Sequence, residues 1–414
     1  MKRKIGIGAT VLVVGALVVW CVSRWDAWFH NPEEEAYEPS ELPTRVLLTF
    51  GDEDGLQSRN ISWMCGSEVQ ESSVELVDLI DSTAQQIDAV GEAFASRGGK
   101  AAYYVARLRE LKVGHTYRYR VWTGDQVSDW FAFQLPAEES QETSFLFMGD
   151  IQDSIGGIAN QLLKEAINRN PEVEFLVQGG DLTERPTDAY WQETFETLDS
   201  VGQAMPVLTV TGNHDYLKNV VCTLERRFSL IHSYFLDSMV GENQVFSVRY
   251  KNVQLFCLDS NREFFYLWSQ REWLEEKLKE SKAKWKIVVL HHPLYSTRKK
   301  TNNLIQRWMF DDLVQEYGVD VVLQGHEHVY ARMTNPSTLD AQPSTPVYTV
   351  SHCSPKNYET TFPDGFDKFE KGSRYYQKVR THGDTLFLTA IDAHTQTLVD
   401  SLYIEKNSQT IIHD

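Results

Sequence analysis

The fold is decided by a strand-like run that ends in polar residues, FLFMGDIQD at residues 145–153. Its first four residues, Phe145 to Met148, are all large and apolar, which is typical of a short strand buried inside a sheet. A glycine and an aspartate follow at once, as at a sharp turn beyond a strand. Runs of this kind alternate with helical stretches through residues 143–406, and this alternation predicts an α/β layer fold.

The other strand-like runs and the helical stretches continue this alternation. The strand-like runs are 175–177, 207–210, 255–258, 287–290 and 319–323. The helical stretches lie near 158–168, 188–201, 270–279 and 304–317. Ser269, followed three residues later by Glu272, predicts a capping box at the start of the third helix.

Five polar motifs follow five of the strand-like runs. They are GDIQD (149–153), GDLTE (180–184), GNHD (212–215), HHP (291–293) and GHEH (325–328). The carboxyl ends of adjacent buried strands meet at one rim, where ligands bind in such folds. Carboxylate and amide oxygens together with imidazole nitrogens suit a hard or borderline divalent metal. Each motif alone fits an ordinary turn, but the five in this order predict a metal site in which a carboxylate can bridge two ions.

The region from residue 42 to residue 136 has the pattern of an all-β domain. Its strand-like runs are 45–50, 60–64, 103–108, 116–122 and 130–133. Gly-containing turns separate several of these runs, as in a small sandwich. Residues 26–41 are acidic and irregular, so they predict a solvated tether in front of this domain.

Residues 1–25 predict a membrane anchor or a signal segment. A basic head, Met1 to Lys4, precedes an almost purely apolar run from Ile5 to Val22. The length of this run lies between that of a long signal-peptide core and that of a short membrane span. No small-x-small cleavage site follows, which favours a single-pass anchor with the rest of the chain outside the cytoplasm, periplasmic or extracellular. A cleaved signal, which would give a secreted protein, and a buried soluble helix are the alternatives.

The composition limits the classes of partner. The formal net charge is −18, and an acidic surface repels the phosphate backbone of nucleic acids, so DNA and RNA are not expected partners. Small phosphorylated substrates stay compatible with this charge, because bound metal ions reverse the local field. The five cysteines show no metal-type spacing, and free thiols are a simpler interpretation than a disulfide.

The five motifs closely resemble those of the calcineurin-like metallophosphoesterase superfamily, and the β domain before them is similar to that of its purple acid phosphatase-like branch. The resemblance covers residues 42–406 and implies a fibronectin III-like sandwich followed by an αββα four-layer domain at 143–406. It also implies a dinuclear metal centre. The implied ligands are Asp150 and His328 on metal one, Asp181 as the bridge, and Asn213 and His326 on metal two. His291 matches the family's ligand in the segment before a proline and is preferred over His292 by alignment.

Two positions depart from the family pattern. Glu184 stands where purple enzymes carry a metal-binding tyrosine, so a stable ferric centre and a purple colour are not expected. Gln152 stands where many relatives place a metal-binding histidine. Its side-chain oxygen is a candidate metal ligand, and a hydrogen bond beside the site is the alternative. Two divalent ions of Mn, Zn or Fe are all compatible with the ligand set.

The resemblance leads to a hypothesis for the reaction. Two ions would activate a bridging water as hydroxide, which attacks phosphorus in line. His214 is the first candidate for protonating the leaving group, with Asp215 placed to orient its ring, and His292 is the second. Five basic residues in loops after metal motifs are candidates for phosphate contact, with ordinary solvated cations as the alternative interpretation: Arg185, Arg298, Lys299, Lys300 and Arg332.

The expected activity is hydrolysis of phosphate monoesters on a small phosphorylated substrate, as in an acid phosphatase. A phosphodiesterase or a nucleotide pyrophosphatase on the same site is the first alternative, favoured by Gln152 and by the missing tyrosine. A non-catalytic surface binding module is the second alternative. The complete set of implied ligands argues against that second alternative.

Overall fold

The computed structural model covers most of the chain. It describes residues 33–137, 142–219, 223–234, 244–298, 303–334, 346–358 and 362–406, with 14–15, 18–25, 29–31, 221, 360 and the backbone of 410–413. Much of the apolar run Ile5 to Val22 lies outside these residues, so the anchor or signal segment stays a prediction. Within the part of the chain that is described, no helix is both long and apolar enough to cross a bilayer.

The N-terminal domain is all-β, as predicted. Its strands are β1 (Thr44–Phe50), β2 (Arg59–Met64), β3 (Ser72–Asp78), β4 (Thr83–Ala95), β5 (Lys100–Leu108), β6 (Thr116–Thr123), β7 (Gln126–Val127) and β8 (Phe131–Gln134). All pairs are antiparallel, and the 13-residue strand β4 pairs with both β3 and β5. The core of this domain is aromatic, with Trp63, Tyr104 and Tyr119 fully buried. Sequence patterning missed β3 and β4, since most side chains of β4 are exposed and carry little apolar signal.

Among its described residues, the C-terminal domain contains two mixed seven-stranded sheets, a two-stranded sheet and five α-helices. Its strands are β9 (Thr143–Met148), β10 (Phe175–Gln178), β11 (Val207–Thr209), β12 (Tyr216–Leu217), β13 (Thr223–Leu224), β14 (Phe246–Tyr250), β15 (Val253–Cys257), β16 (Trp285–Leu290), β17 (Val321–Gln324), β18 (Tyr330–Thr334), β19 (Val347–Val350), β20 (Lys368–Glu370), β21 (Tyr375–His382), β22 (Thr385–Asp392), β23 (Leu398–Glu405) and β24 (Thr410–His413). Its helices are α1 (Ala159–Arg169), α2 (Asp188–Leu198), α3 (Arg226–Ile231), α4 (Phe264–Glu280) and α5 (Leu304–Glu316). The first sheet has the order β11-β10-β9-β21-β22-β23-β24, and the second has β14-β15-β16-β17-β19-β18-β20.

The predicted αββα four-layer arrangement is confirmed by the packing of these elements. Alternate residues of a strand face opposite sides of its sheet. Phe145 and Phe147 therefore face the second sheet in one apolar core, while Leu146 and Met148 face α1 and α2 in another. Helices α4 and α5 cover the outer face of the second sheet in a third core. The parallel strands of each sheet thus bring their carboxyl ends to the same edge of the domain.

Helix α4 begins earlier than the sequence pattern indicated. It starts at Phe264, and its N-cap Glu263 makes no side-chain capping bond. Ser269 donates its hydroxyl to the carbonyl of Phe265, one turn earlier in the same helix. The predicted capping box is therefore wrong, because an aromatic run with no helix breaker extends the helix by six residues toward its N-terminus.

The segment predicted as a solvated tether is packed against both domains at Glu34. The carboxylate of Glu34 is buried and lies 2.6 Å from the guanidinium of Arg227, which is itself fully buried. It also accepts hydrogen bonds from the backbone amides of Asp188 and Gly98. A buried guanidinium requires carboxylate partners. Glu34 is therefore held in place by Arg227, although the acidic composition of its segment predicted a solvated residue.

Candidate metal centre

The six predicted ligands lie at the edge where the two sheets meet. Asp150, Asp181 and Asn213 come directly after the three parallel strands β9, β10 and β11, and the histidines follow β16 and β17. Four of the ligands adopt positive φ angles, which non-glycine residues rarely do. They are Asp150 (45°), Asp181 (50°), His326 (72°) and His328 (43°). Such backbone conformations concentrate at functional sites, where a turn must aim a side chain.

Two glycines allow these turns to approach each other. A Cβ atom at Gly212 would lie 2.1 Å from the backbone nitrogen of Asp181 and 2.2 Å from its Oδ1. A Cβ atom at Gly325 would lie 2.5 Å from Oδ2 of Asp150. The glycines of two motifs are therefore required by close packing around the carboxylates.

Four side chains form one compact group, here named the metal-two cluster: Asp181, Asn213, His291 and His326. Oδ2 of Asp181 lies 3.3 Å from Nε2 of His291. Oδ1 of Asn213 and Nδ1 of His326 each lie 3.2 Å from the same nitrogen. Ligand atoms of Asp181, His291 and His326 all lie within 4.8 Å of one another, a spacing that suits one cation.

The electrostatics of the metal-two cluster favour a cation. Burial alone would lower the pKa of His291, but the carboxylates of Asp181 and Asp150 outweigh it and raise that pKa to about 9. The same carboxylates would attract a metal ion. Nδ1 of His291 lies 2.8 Å from the carbonyl oxygen of Gly179, which leaves Nε2 for a ligand.

A second group, the metal-one cluster, consists of Asp150, Gln152 and His328. Nε2 of His328 lies 3.4 Å from Oδ1 of Asp150, and its Nδ1 lies 2.9 Å from the carbonyl of Lys356. Oδ1 of Asp150 and both amide atoms of Gln152 are buried without a hydrogen-bond partner among the described residues. Buried polar atoms are almost always paired, so these orphaned oxygens fit a bound cation.

His214 lies beside the metal-two cluster. Its backbone amide donates to Oδ1 of Asp181 at 2.7 Å, and its ring Nδ1 lies 2.7 Å from the carbonyl oxygen of Glu184. Asp215 was predicted to orient this ring, and that prediction is wrong. Its carboxylate instead accepts the backbone amides of Gly212 and Leu182. Asp215 therefore stabilises the loop, because its two carboxylate oxygens accept these two backbone amides.

His292 lies next to the same cluster. Its ring is centred 4.4 Å from the ring of His326, and its Nδ1 lies 3.0 Å from the hydroxyl of Ser260. Burial, followed by the charge of His291, lowers the pKa of His292 to about 3. The choice of His291 over His292 as the ligand stays a prediction.

Glu184 occupies the position of the family's metal-binding tyrosine. Its carboxylate is ion-paired with the ammonium group of Lys356. The backbone carbonyls of these two residues hold His214 and His328, respectively. The Glu184–Lys356 pair therefore joins two loops of the site.

Three further residues surround the clusters, and two of them were not predicted. The guanidinium of Arg298 stacks on the ring of Tyr358 at 3.8 Å, and that ring lies 4.5 Å from the ring of His328. His352 is fully buried and stacks on His328 with ring centroids 5.0 Å apart. Sequence patterns gave little indication of Tyr358 and His352, because each lies on an irregular segment far from any motif.

Arg332, by contrast, does not serve the site. Its guanidinium pairs with Asp400 at 2.6 Å and with Asp367 at 3.2 Å. The interpretation of Arg332 as a phosphate contact is therefore wrong, because two carboxylates already neutralise it inside strand β18.

Both domains of the fold match known protein families. Residues 143–330 match the family of calcineurin-like phosphoesterases, and residues 43–135 match the purple acid phosphatase N-terminal domain. The chain therefore carries a calcineurin-like phosphoesterase domain after a purple acid phosphatase N-terminal domain. Both matches fall within the predicted domain bounds of 42–136 and 143–406.

Individual relatives agree with this assignment. Phosphoenolpyruvate phosphatase of Allium cepa is 24% identical over 309 residues, which is 70% of this chain and 63% of the relative. Purple acid phosphatase 21 of Arabidopsis thaliana is 26% identical over 253 residues, 58% of this chain and 56% of the relative. The chain thus spans less than two thirds of either relative's length.

Solved structures share the fold. Purple acid phosphatase PPD1 from yellow lupin (Lupinus luteus) seeds superposes with a TM-score of 0.75 at 16% identity, covering 88% of this chain and 74% of that one. PhoD superposes with a TM-score of 0.64 at 12% identity, covering 92% and 93% of the two chains.

Proposed function

We propose that this protein hydrolyses phosphate monoesters at a dinuclear metal centre formed by the two clusters. The observation that carries the proposal is the meeting of six side chains from five separate motifs at one edge. Asp150, Asp181, Asn213, His291, His326 and His328 would hold the ions, with Gln152 as a further oxygen ligand of metal one. Purple acid phosphatases and phosphoenolpyruvate phosphatase among the relatives support a phosphate ester as the substrate.

The chain's own residues would divide the work. Two divalent ions, when bound, would supply an activated water and neutralise charge on the phosphoryl group. His214 is the proposed proton donor to the leaving group: the carbonyl of Glu184 holds its Nδ1, which leaves Nε2 to transfer the proton. His292, whose Nδ1 lies beside the hydroxyl of Ser260, is the proposed second candidate for this protonation.

A second candidate is hydrolysis of phosphodiesters or nucleotide pyrophosphates on the same site. Two observations favour it: an amide at Gln152 in place of a histidine, and a Glu184 carboxylate that is neutralised by Lys356 in place of a phenolate. A non-catalytic binding module is the remaining candidate.

One experiment separates these functions. Purified protein is analysed for its elements, loaded with Mn²⁺, Zn²⁺ or Fe²⁺, and assayed with one monoester, one diester and one dinucleotide pyrophosphate. We expect two ions per chain and the fastest turnover with the monoester. Faster turnover of the diester or pyrophosphate would favour the second candidate, and two bound ions without any turnover would favour the binding module.

The location outside the cytoplasm is part of this proposal and rests on the basic head and the apolar run of residues 1–25. In cells that express the whole chain, we expect the protein to be accessible to protease added outside the cytoplasmic membrane. An N-terminus that begins at Met1 supports an anchor, and one that begins beyond Val22 supports a cleaved signal. Protection of the whole chain in the cytoplasm would contradict the proposal.

A further inference from the structure

The loop after the HHP motif presents a guanidinium to the site, and no carboxylate among the described residues pairs with it. Nη2 of Arg298 donates to the carbonyl of His326 at 2.8 Å, and its guanidinium stacks on Tyr358. Nε of Arg298 is buried and has no hydrogen-bond partner among the described residues. Arg120 and Arg262 also stack on aromatic rings, but each of them pairs with a glutamate.

The position of Arg298 is defined from two sides of the metal centre. His326, whose carbonyl it binds, belongs to the metal-two cluster, and Tyr358, on which it stacks, lies against His328 of the metal-one cluster. The guanidinium therefore lies beside both clusters. A planar guanidinium with free N–H donors is the side chain best suited to bind phosphate oxygens.

A buried glutamate of the GHEH motif holds the Arg298 loop in place. The carboxylate of Glu327 accepts hydrogen bonds from the hydroxyl of Ser296 and from both the amide and the hydroxyl of Thr297, each at 2.5 Å. The hydroxyl of Ser296 in turn accepts the amide of Arg298 at 3.1 Å. Glu327 is fully buried and lies between two metal ligands in sequence, so it links the arginine loop rigidly to the metal turn.

We propose that Arg298 binds the substrate phosphate and makes the site selective for dianionic phosphomonoesters, with Glu327 as its positioning residue. This inference rests on the proposed function. An arginine without a carboxylate partner gains more from a dianion than from the single negative charge of a diester, because attraction scales with charge. The same contact would bind inorganic phosphate, the product of monoester hydrolysis.

The test is Arg298→Met in metal-loaded protein, with direct binding of inorganic phosphate measured by titration calorimetry. Loss of a charge-assisted hydrogen bond should weaken phosphate binding by roughly 10- to 100-fold, while two ions per chain are retained. Arg118→Met is the matched control: it removes another ring-stacked guanidinium, over Trp130 in the β domain, and should leave phosphate affinity unchanged. Phosphate affinity of Arg298→Met within threefold of the wild type would overturn the proposal.

Kinetics test the substrate class separately from binding. For Arg298→Met, kcat/KM should fall about tenfold more for a monoester than for a diester of the same alcohol; an equal fall for both would overturn the selectivity. Thr297→Val, which removes one donor to Glu327, should raise KM for the monoester with little change in kcat, and Thr297→Ser should restore it. If the wild type hydrolyses no ester, the proposed function fails, but the phosphate titration still decides the role of Arg298.

Discussion

The two clusters of the metal centre differ in how their side chains are satisfied. In the metal-two cluster, atoms of Asp181 and His326 lie 3.3 Å and 3.2 Å from Nε2 of His291 and hold one another in place. In the metal-one cluster, Oδ1 of Asp150 lies 3.4 Å from Nε2 of His328 without a hydrogen bond, and the whole amide of Gln152 is buried without a hydrogen-bond partner among the described residues. An unpaired buried polar atom is costly, so the metal-one cluster depends more on its cation than the metal-two cluster does.

Asp181→Asn should have the largest effect, because this carboxylate is the one ligand assigned to both ions. An amide offers only one oxygen and no charge, so monoester turnover should fall by more than about 100-fold. Elemental analysis should show fewer than two ions per chain, while circular dichroism stays that of the wild type. Substantial turnover with both ions retained would contradict the bridging role.

The ligands could be predicted because strand ends are local features of the sequence. Asp150 and His326 each follow a run of buried residues at a glycine turn, and parallel strands bring such turns together whatever the loops do. The role of Asp215 could not be read in this way. Its oxygens are taken by the amides of Gly212 and Leu182, and Leu182 belongs to a motif 33 residues earlier.

Ion pairs between residues far apart in the chain likewise could not be predicted from sequence patterns. Glu34 and Arg227 are 193 residues apart, and nothing near either residue indicates that they form a fully buried ion pair. Arg298 was found only as one of several basic residues after a motif. Its distinction from Arg332, which two carboxylates neutralise, depends on which loops meet at the site.

Gly212→Ala should be next in effect and should damage the metal-two cluster. Its Cβ would lie 2.1 Å from the nitrogen of Asp181, so the bridging turn must move. We expect about a 10- to 100-fold loss of turnover, since displacement by 1 Å costs about this much. Gly318→Ala is the control: it strains the backbone, at φ +63°, but its Cβ meets nothing within 4 Å. It should cost about 1–2 kcal/mol of stability and leave metal content unchanged; equal metal loss in both variants would contradict the steric argument.

Gln152→Leu tests whether the amide oxygen of Gln152 is a metal ligand, and so whether the two clusters differ as described. Leucine fills nearly the same volume but has no oxygen, so one ion should bind about tenfold more weakly while the other is unaffected. Metal titration followed by elemental analysis should give one tight and one weak site. Two ions bound as tightly as in the wild type would show that Gln152 only lies beside the site.

His232 provides the smallest expected effect and tests whether a buried unpartnered polar ring always signals a ligand site. It lies outside both clusters, among Phe228, Tyr234 and Trp191, and neither ring nitrogen has a partner among the described residues. Burial lowers its pKa to about 3, from an ordinary value of 6.5. Between pH 6.5 and about 3, the His232 side chain is therefore protonated in the unfolded chain and neutral in the folded protein.

The consequence is a loss of stability at acid pH that is independent of metal binding. His232 contributes full stability above pH 6.5, and this is lost as pH falls from 6.5 toward 3, by about 1.4 kcal/mol per pH unit. His232→Phe keeps an aromatic ring and removes the titrating group. The free energy of unfolding of the variant, measured with urea, should therefore change with pH less steeply than that of the wild type, by about 1.4 kcal/mol per pH unit. The exposed His394→Gln should keep the wild-type slope. An unchanged slope in His232→Phe would mean that the ring is already protonated in the folded protein, and that a buried imidazole outside the metal centre also has a hidden partner.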